Sequence, residues 1–170
     1  MPQDFADLAE TFRRLNPHVL RLWRWHLGWV MSIVPPLSGK ILLLTHTGRK
    51  TGRRLHTPAN YAVIDGDVWC TTHAQAQWLR NIQANPDVAV WLPLRRPRSA
   101  VAETMPVDRA HVGQLRRVLV NSGFAAATFA GIHPRRESDD ELLRTCAEYH
   151  LLRLRRGDVV PRAEREPLPR

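Results

Sequence analysis

Residues 57–72 read TPANYAVIDGDVWCTT, two short apolar runs on either side of Asp65-Gly66. Val, Ile, Tyr, Trp and Thr suit a pleated, half-buried surface, and Asp-Gly supplies the pair that accepts positive φ most readily. Strands at about 57–64 and 67–72, joined by a tight hairpin, are therefore predicted. The same punctuation continues outward, giving further strands at about 40–46, 87–92, 98–105 and 149–155. Between them, Gln77–Ala84 reads as a short helix closed by Asn85-Pro86. A second helix is expected at Val107–Val120, entered from Pro106 with Asp108 in its first turn. A third is opened by the capping box of Ser138 and Glu141 and runs to about Ala147. Six short strands with helices inserted among them predict an α+β fold built on a small antiparallel barrel.

Upstream of the strands, Arg14, His18, Arg21, Arg24, Gly28 and Ser32 are spaced to share one stripe of a helix. The rest of that segment, from Leu15 through Trp23, Trp25 and Trp29 to Ile33, is mostly apolar, and Pro35-Pro36 ends it. This is more apolar surface than one core contact needs. The expected arrangement is a helix that lies across the domain and also packs on a second copy, making a homodimer. The competing reading is a basic, tryptophan-bearing helix in weak peripheral contact with a membrane. It is not a transmembrane span, because Arg21, Arg24, His26, Gly28 and Ser32 interrupt it. The division expected is one domain over 1–160, with 1–36 as the helical region and 37–160 as the barrel, followed by an unstructured Pro/Arg/Glu tail at 161–170.

The chain has 170 residues, 44% hydrophobic and 24% charged, with a net charge of +9. That composition carries a core without staples and excludes a disordered, collagen-like or coiled-coil protein. Lys40 and Lys50 are the only lysines, so arginine dominates; its planar fork suits phosphates and carboxylates, and a skewed genomic base composition gives the same bias. The charge and six tryptophans raise nucleic-acid binding, but no nucleic-acid motif accompanies them, and none is expected as a partner. Cys70 and Cys146 stand far apart, outside any metal-ligand spacing and behind no secretory signal, which points to a reducing cytoplasm.

The densest chemistry lies in Thr45-His46-Thr47-Gly48-Arg49-Lys50-Thr51-Gly52-Arg53-Arg54-Leu55-His56-Thr57-Pro58. Two glycines permit a tight turn that exposes backbone N–H groups, and Arg49, Lys50, Arg53 and Arg54 gather four positive charges beside the hydroxyls of Thr47 and Thr51. Such a loop holds an anionic group; its bland counterpart is a solvated basic turn. It is not a P-loop, since Gly52 is followed by Arg53. His46, His56 and His73 fall near strand ends without metal spacing, so they are read as hydrogen-bonding pocket residues, with no metal expected. Trp78 is read as a plug of the barrel end ahead of a stacking platform. Arg95-Arg96-Pro97-Arg98 is a basic turn, either solvated or in contact with an acidic substrate or lipid. No nucleophile, dyad or triad is visible, and no catalytic residue is assigned.

The run from Leu42 to Pro58, T-x-T-G-R-K-T-G with a proline six residues on, resembles the signature of the deazaflavin-dependent nitroreductase family. Asp65-Gly66-Asp67 and the segment Trp78-Leu79-Arg80-Asn81-Ile82-Gln83-Ala84-Asn85-Pro86-Asp87-Val88 are similar to the family's later motifs, so the likeness spans roughly residues 38 to 105. It implies a six-stranded antiparallel split β-barrel with an N-terminal helix and inserted short helices. It also implies the reduced deazaflavin coenzyme (coenzyme factor 420) as cofactor, with FMN second, and hydride transfer to a small electrophilic acceptor such as a nitroaromatic, a quinone or an enone. By the same likeness Arg49, Lys50, Thr51 and Gly52 grip the coenzyme's phosphate and acidic tail and Thr57 and Pro58 lie against its ring; Arg53 or Arg54 would have to substitute for the family's Arg at Leu55, and Arg54, Thr72, His73 and Trp78 are the further residues expected at the pocket. Two departures stand out. Leu55 occupies a position where relatives carry Arg, and Thr72-His73-Ala74-Gln75-Ala76-Gln77 replaces a Ser-Lys-Gly-Gly-like loop. The alternative they leave open is a non-catalytic binder of flavin, haem or fatty acid on the same barrel.

Overall fold

The computed structural model describes residues 39–123 and 125–157. The basic stripe and apolar surface of the N-terminal segment and the tail at 161–170 lie outside the described residues. In chain order the elements are β1 (Ile41–Thr47), β2 (Arg54–Ile64), β3 (Asp67–His73), α1 (Gln77–Ala84), β4 (Asp87–Trp91), β5 (Arg98–Met105), α2 (Val112–Asn121), α3 (Ala125–Ala130), α4 (Asp139–Thr145) and β6 (Tyr149–Arg156). The six strands close into a barrel in the order β1-β2-β3-β6-β5-β4, every neighbouring pair antiparallel. The expected α+β barrel is the one observed.

Period-two alternation builds two cores on one wall. Leu42, Leu44, Val68, Cys70, Val90, Ala102, Leu152 and Leu154 point into the barrel, where Leu79 and Ile82 of α1 join them. Ala62, Ile64, Trp69 and Leu151, from the opposite pleats, meet Val112, Leu115 and Val118 of α2 and Leu142 of α4 on the outside. Between β2 and β3 the turn is the predicted one. Ile64 pairs with Asp67, and Asp65 and Gly66 have φ of 51° and 86°, the two positive values of a type I′ hairpin.

β2 changes partner halfway along. Its residues Arg54–Asn60 pair with β1, Tyr61–Ile64 pair with β3, and the last residues of β3, Thr71–His73, pair with β6. The wall is thus split between the first half of β2 and the end of β3. The bonds Tyr61 N–H to Lys40 C=O and Gly48 N–H to Arg53 C=O set the phase of the β1–β2 ladder. In that phase Leu43 and Pro58 form a non-hydrogen-bonded pair, so the N–H that proline lacks falls on the split side and costs no ladder bond.

Four sequence expectations change. β2 begins at Arg54 instead of 57, which moves Arg54, Leu55 and His56 out of the loop and into the strand. The helix expected from Val107 starts at Val112. Asp108 instead closes a separate turn, its carboxylate accepting the His111 N–H at 3.0 Å and meeting the His111 ring at 2.8 Å; His111, at φ −114° and ψ 4°, is not helical. α3 was not foreseen, and α4 ends at Thr145, though its capping box is present with both reciprocal bonds.

Candidate functional site

The loop joining β1 to β2 is closed by Gly48 N–H donating to Arg53 C=O at 2.8 Å. Inside it, Thr51 and Gly52 both donate to Gly48 C=O, the latter at 2.8 Å, and Gly52 takes φ +64°, where glycine is at ease. Arg53 N–H reaches Thr51 Oγ1 at 3.3 Å, and Arg49 N–H reaches Asn81 Oδ1 at 3.2 Å. The amides of Gly48, Arg49, Thr51, Gly52 and Arg53 are therefore spent on the fold. This corrects the expectation of exposed N–H groups: what the loop can offer an anion is side chains. Arg49, Lys50, Arg53 and Arg54 are all exposed, and Arg49, Lys50 and Arg53 have no acidic partner among the described residues.

Asn81 is the tie that sequence reading placed in a motif without giving it a role. It is 2% exposed on α1, between Leu79 and Ile82, which sink into the barrel interior. α1 crosses the barrel end, so its burial sets the position of the loop, and the two family-like motifs become one structural unit. Trp78 packs on the interior cluster, as the plug reading has it.

Beneath the loop two Thr-His pairs cross the β1–β2 ladder. Thr45 Oγ1 lies 2.9 Å from His56 Nδ1, and His46 Nε2 lies 3.1 Å from Thr57 Oγ1. Successive residues face opposite sides of a strand, so the pairs occupy opposite faces of the wall, with His46 and Thr57 on the interior side with Leu44. His46 is 2% exposed and its Nδ1 is buried with no hydrogen-bond partner among the described residues. Burial, helped by the nearby His56, lowers its pKa to about 4, so the ring is neutral at pH 7. His56 is lowered as well, by burial first and Arg54 second. Sequence periodicity contained no signal for these pairs, whose members are eleven residues apart and meet only through the strand register.

A pH dependence follows. An unfolded histidine titrates near 6.5, so the unfolded chain takes up the His46 proton more readily than the folded one. The stabilising contribution is complete above about pH 6.5 and is lost as pH falls toward 4, a loss on the order of 2 kcal/mol after allowance for water at the barrel mouth. Thermal unfolding followed from pH 7 to 4 is expected to show this decline, and His46→Gln should flatten it. An equal slope in that variant would contradict the assignment.

Thr72 and His73 do not join the loop. Thr72 is buried on β3 at 6% exposure, and His73 accepts the Gln75 N–H at Nδ1, meets Glu148 Oε2 at 2.9 Å through Nε2, and sets its ring edge-on to Tyr149. Both sit across the split from Pro58 and Ala59. The two thiols are free and buried, and burial pushes each up to about 12, too high for a nucleophile at neutral pH. A groove of about 290 Å³ between β2 and α2, lined by Ala62, Val63, Arg116, Arg117, Val120 and Asn121, shares no residue with the loop. Among the described residues there is no group of three or more His, Cys, Asp or Glu placed to hold a metal, and no helix long and apolar enough to cross a membrane.

Residues 26–126, more than half of the chain, match the sequence profile of the F420H(2)-dependent quinone reductase family. No curated protein sequence matches. Among solved structures, the heme storage protein HutZ of Vibrio cholerae aligns with a TM-score of 0.51 at 15% identity over 75% of this chain and 89% of that one. An FAD-binding protein of Mesorhizobium loti aligns at 0.50 and 16% over 77% and 90%. An F420-H2 dependent reductase, FDR-A, aligns at 0.48 and 16% over 69% and 96%. At these identities the first two likenesses speak for the barrel fold alone.

Proposed function

The chain belongs to the F420H(2)-dependent quinone reductase family, and from that membership we propose that it reduces an electrophilic organic acceptor, a quinone first and a nitroaromatic or enone by the same chemistry. The family's cofactor is the reduced deazaflavin coenzyme, which when bound supplies a hydride, two electrons at once.

The residues present suit such a group. Its phosphate and acidic tail call for several cations on a fixed support, and the loop presents Arg49, Lys50, Arg53 and Arg54 on a backbone tied to Asn81. That is the observation that carries the reading. Arg49 and Lys50, with Thr51, Gly52 and Arg54 beside them, hold the anionic part through charge-assisted hydrogen bonds. Pro58 would present the split-side edge of β2 and Thr57 its interior face to the planar ring, with Thr72, His73 and Trp78 on the opposite side. Leu55, 40% exposed and next to Arg54, gives the acceptor an apolar wall where a further cation would draw in water.

A carbonyl that has accepted hydride needs a proton. The Thr57 hydroxyl, on the interior face of β2, would relay a proton from water to that oxygen, and neutral His46, hydrogen-bonded with it, holds its orientation without adding a charge there. Pairing on both faces of the wall keeps this edge of β2 rigid, so the protein contributes position and exclusion of water more than covalent chemistry.

Fluorescence titration with reduced and oxidised deazaflavin coenzyme, set beside FMN, FAD and haem, tests the reading. Binding of the deazaflavin and its consumption on adding a quinone are expected. Tight binding of haem or FAD with none of the deazaflavin would establish the non-catalytic binder in its place.

A further inference from the structure

The second basic stretch of the chain has no part in the chemistry above. It is the β4–β5 connection, Leu92-Pro93-Leu94-Arg95-Arg96-Pro97-Arg98, closed by Arg95 N–H donating to Leu92 C=O at 3.2 Å. At its tip Leu94 is 84% exposed, the most exposed large apolar side chain among the described residues. It also has φ +59°, in the left-handed region that leucine avoids. Both features oppose the residue. Asparagine or glycine would fit the backbone better and water better, so the fold and solubility of this turn give no reason for leucine.

Around that tip Arg95 and Arg96 are exposed, and neither they nor Arg98 has an acidic partner among the described residues. The Nε of Arg98 is buried without a hydrogen-bond partner. Trp91, half-buried, ends the strand that leads into the turn. An apolar tip, a cationic collar and an aromatic behind them match the layers of an anionic lipid surface, from acyl boundary to headgroup phosphate. A free phosphate or a nucleic-acid backbone satisfies the arginines and leaves Leu94 in water. An anionic lipid surface accounts for both.

The location is favourable as well. Leu43 pairs with Trp91 and Thr45 with Ala89, so the turn beyond Trp91 lies at the Ile41 end of β1, opposite the Gly48–Arg53 loop. We propose that the Leu94 turn docks the protein on anionic lipid membranes, Leu94 entering the acyl boundary while Arg95 and Arg96 contact headgroup phosphates. Docking there leaves the loop end of the barrel open, and it stands whether or not the reading of the reaction does.

Co-sedimentation of the full chain with phosphatidylglycerol–phosphatidylcholine vesicles, compared with pure phosphatidylcholine over a salt series, tests the proposal. Binding to the anionic vesicles that weakens with salt is expected. Arg95→Ser/Arg96→Ser should weaken it about 25-fold, near fivefold for each arginine at such a surface. Leu94→Asn should weaken it about tenfold and leave the melting temperature unchanged or higher, because the left-handed φ is relieved. That opposition of affinity and stability separates a docking residue from a structural one. The proposal is overturned if the double variant binds within about twofold of the wild type. It is also overturned if Arg135→Ser/Arg136→Ser, an exposed pair ahead of α4, loses as much, since the effect would then be net charge. Double-stranded DNA binding that depends on Arg95 and Arg96, with no vesicle binding, would overturn it too.

Discussion

Replacing Arg49 and Lys50 together by alanine is expected to weaken binding of the deazaflavin coenzyme at least a hundredfold. Each charge-assisted contact to a phosphate or carboxylate contributes about 1.5–3 kcal/mol, so the pair accounts for about 3–6 kcal/mol, with the upper value reached only if the two act independently. Both side chains are exposed and unpaired among the described residues, so circular dichroism and thermal unfolding should be unchanged. Asn81→Ala makes the informative companion. It leaves every cation in place and removes the buried carboxamide whose oxygen holds the Arg49 N–H, so roughly tenfold weaker binding would measure how much the fixed support contributes. Isothermal titration at two salt concentrations reads all three proteins, and full coenzyme affinity in the double variant would remove the loop from the site.

Gly39→Ala is expected to have the largest effect on stability. Gly39 has φ +70°, and a Cβ there would sit 2.4 Å from the Ser122 carbonyl carbon and 2.6 Å from the Asn121 oxygen, both backbone atoms. Those atoms cannot turn aside as the end of a side chain would, because Lys40 N–H donates to Asn121 C=O at 2.7 Å in the same contact. The left-handed conformation costs alanine about 1–2 kcal/mol, and separating β1 from the end of α2 adds at least a comparable amount. A total of about 3 kcal/mol or more corresponds to a melting temperature lower by roughly 10 °C for a chain of this size. Gly52→Ala serves as the control. Gly52 has a similar φ, +64°, with nothing within 4 Å of a Cβ, so only the conformational part should appear.

What the sequence reveals about this molecule follows from its local physics. Short apolar runs divided by turn residues located all six strands to within about three residues, because a strand needs apolar surface to bury and a turn needs residues that tolerate its backbone. Asp65-Gly66 set its own hairpin, and Ser138 with Glu141 set its own cap, since the atoms involved lie within four residues of one another. Where a local signal had two uses, reading stopped short. Asp108 served a turn in place of the α2 N-terminus, and the glycines of the basic loop folded its amides inward.

By itself, then, the sequence determined the strands, the turns that divide them and the concentration of cations between Gly48 and Arg54. Only the tertiary structure decided what those elements do to one another. It closed β4 onto β1 and β3 onto β6, opened the split beside Pro58, and aligned β1 with β2 so that Thr45 meets His56 and His46 meets Thr57. It brought Asn81 across 32 positions to the Arg49 amide. Contacts of that kind depend on register and on which apolar faces are buried together, and those are settled by the packing of the whole barrel, where a shift of one residue would turn every side chain of a strand to the other face.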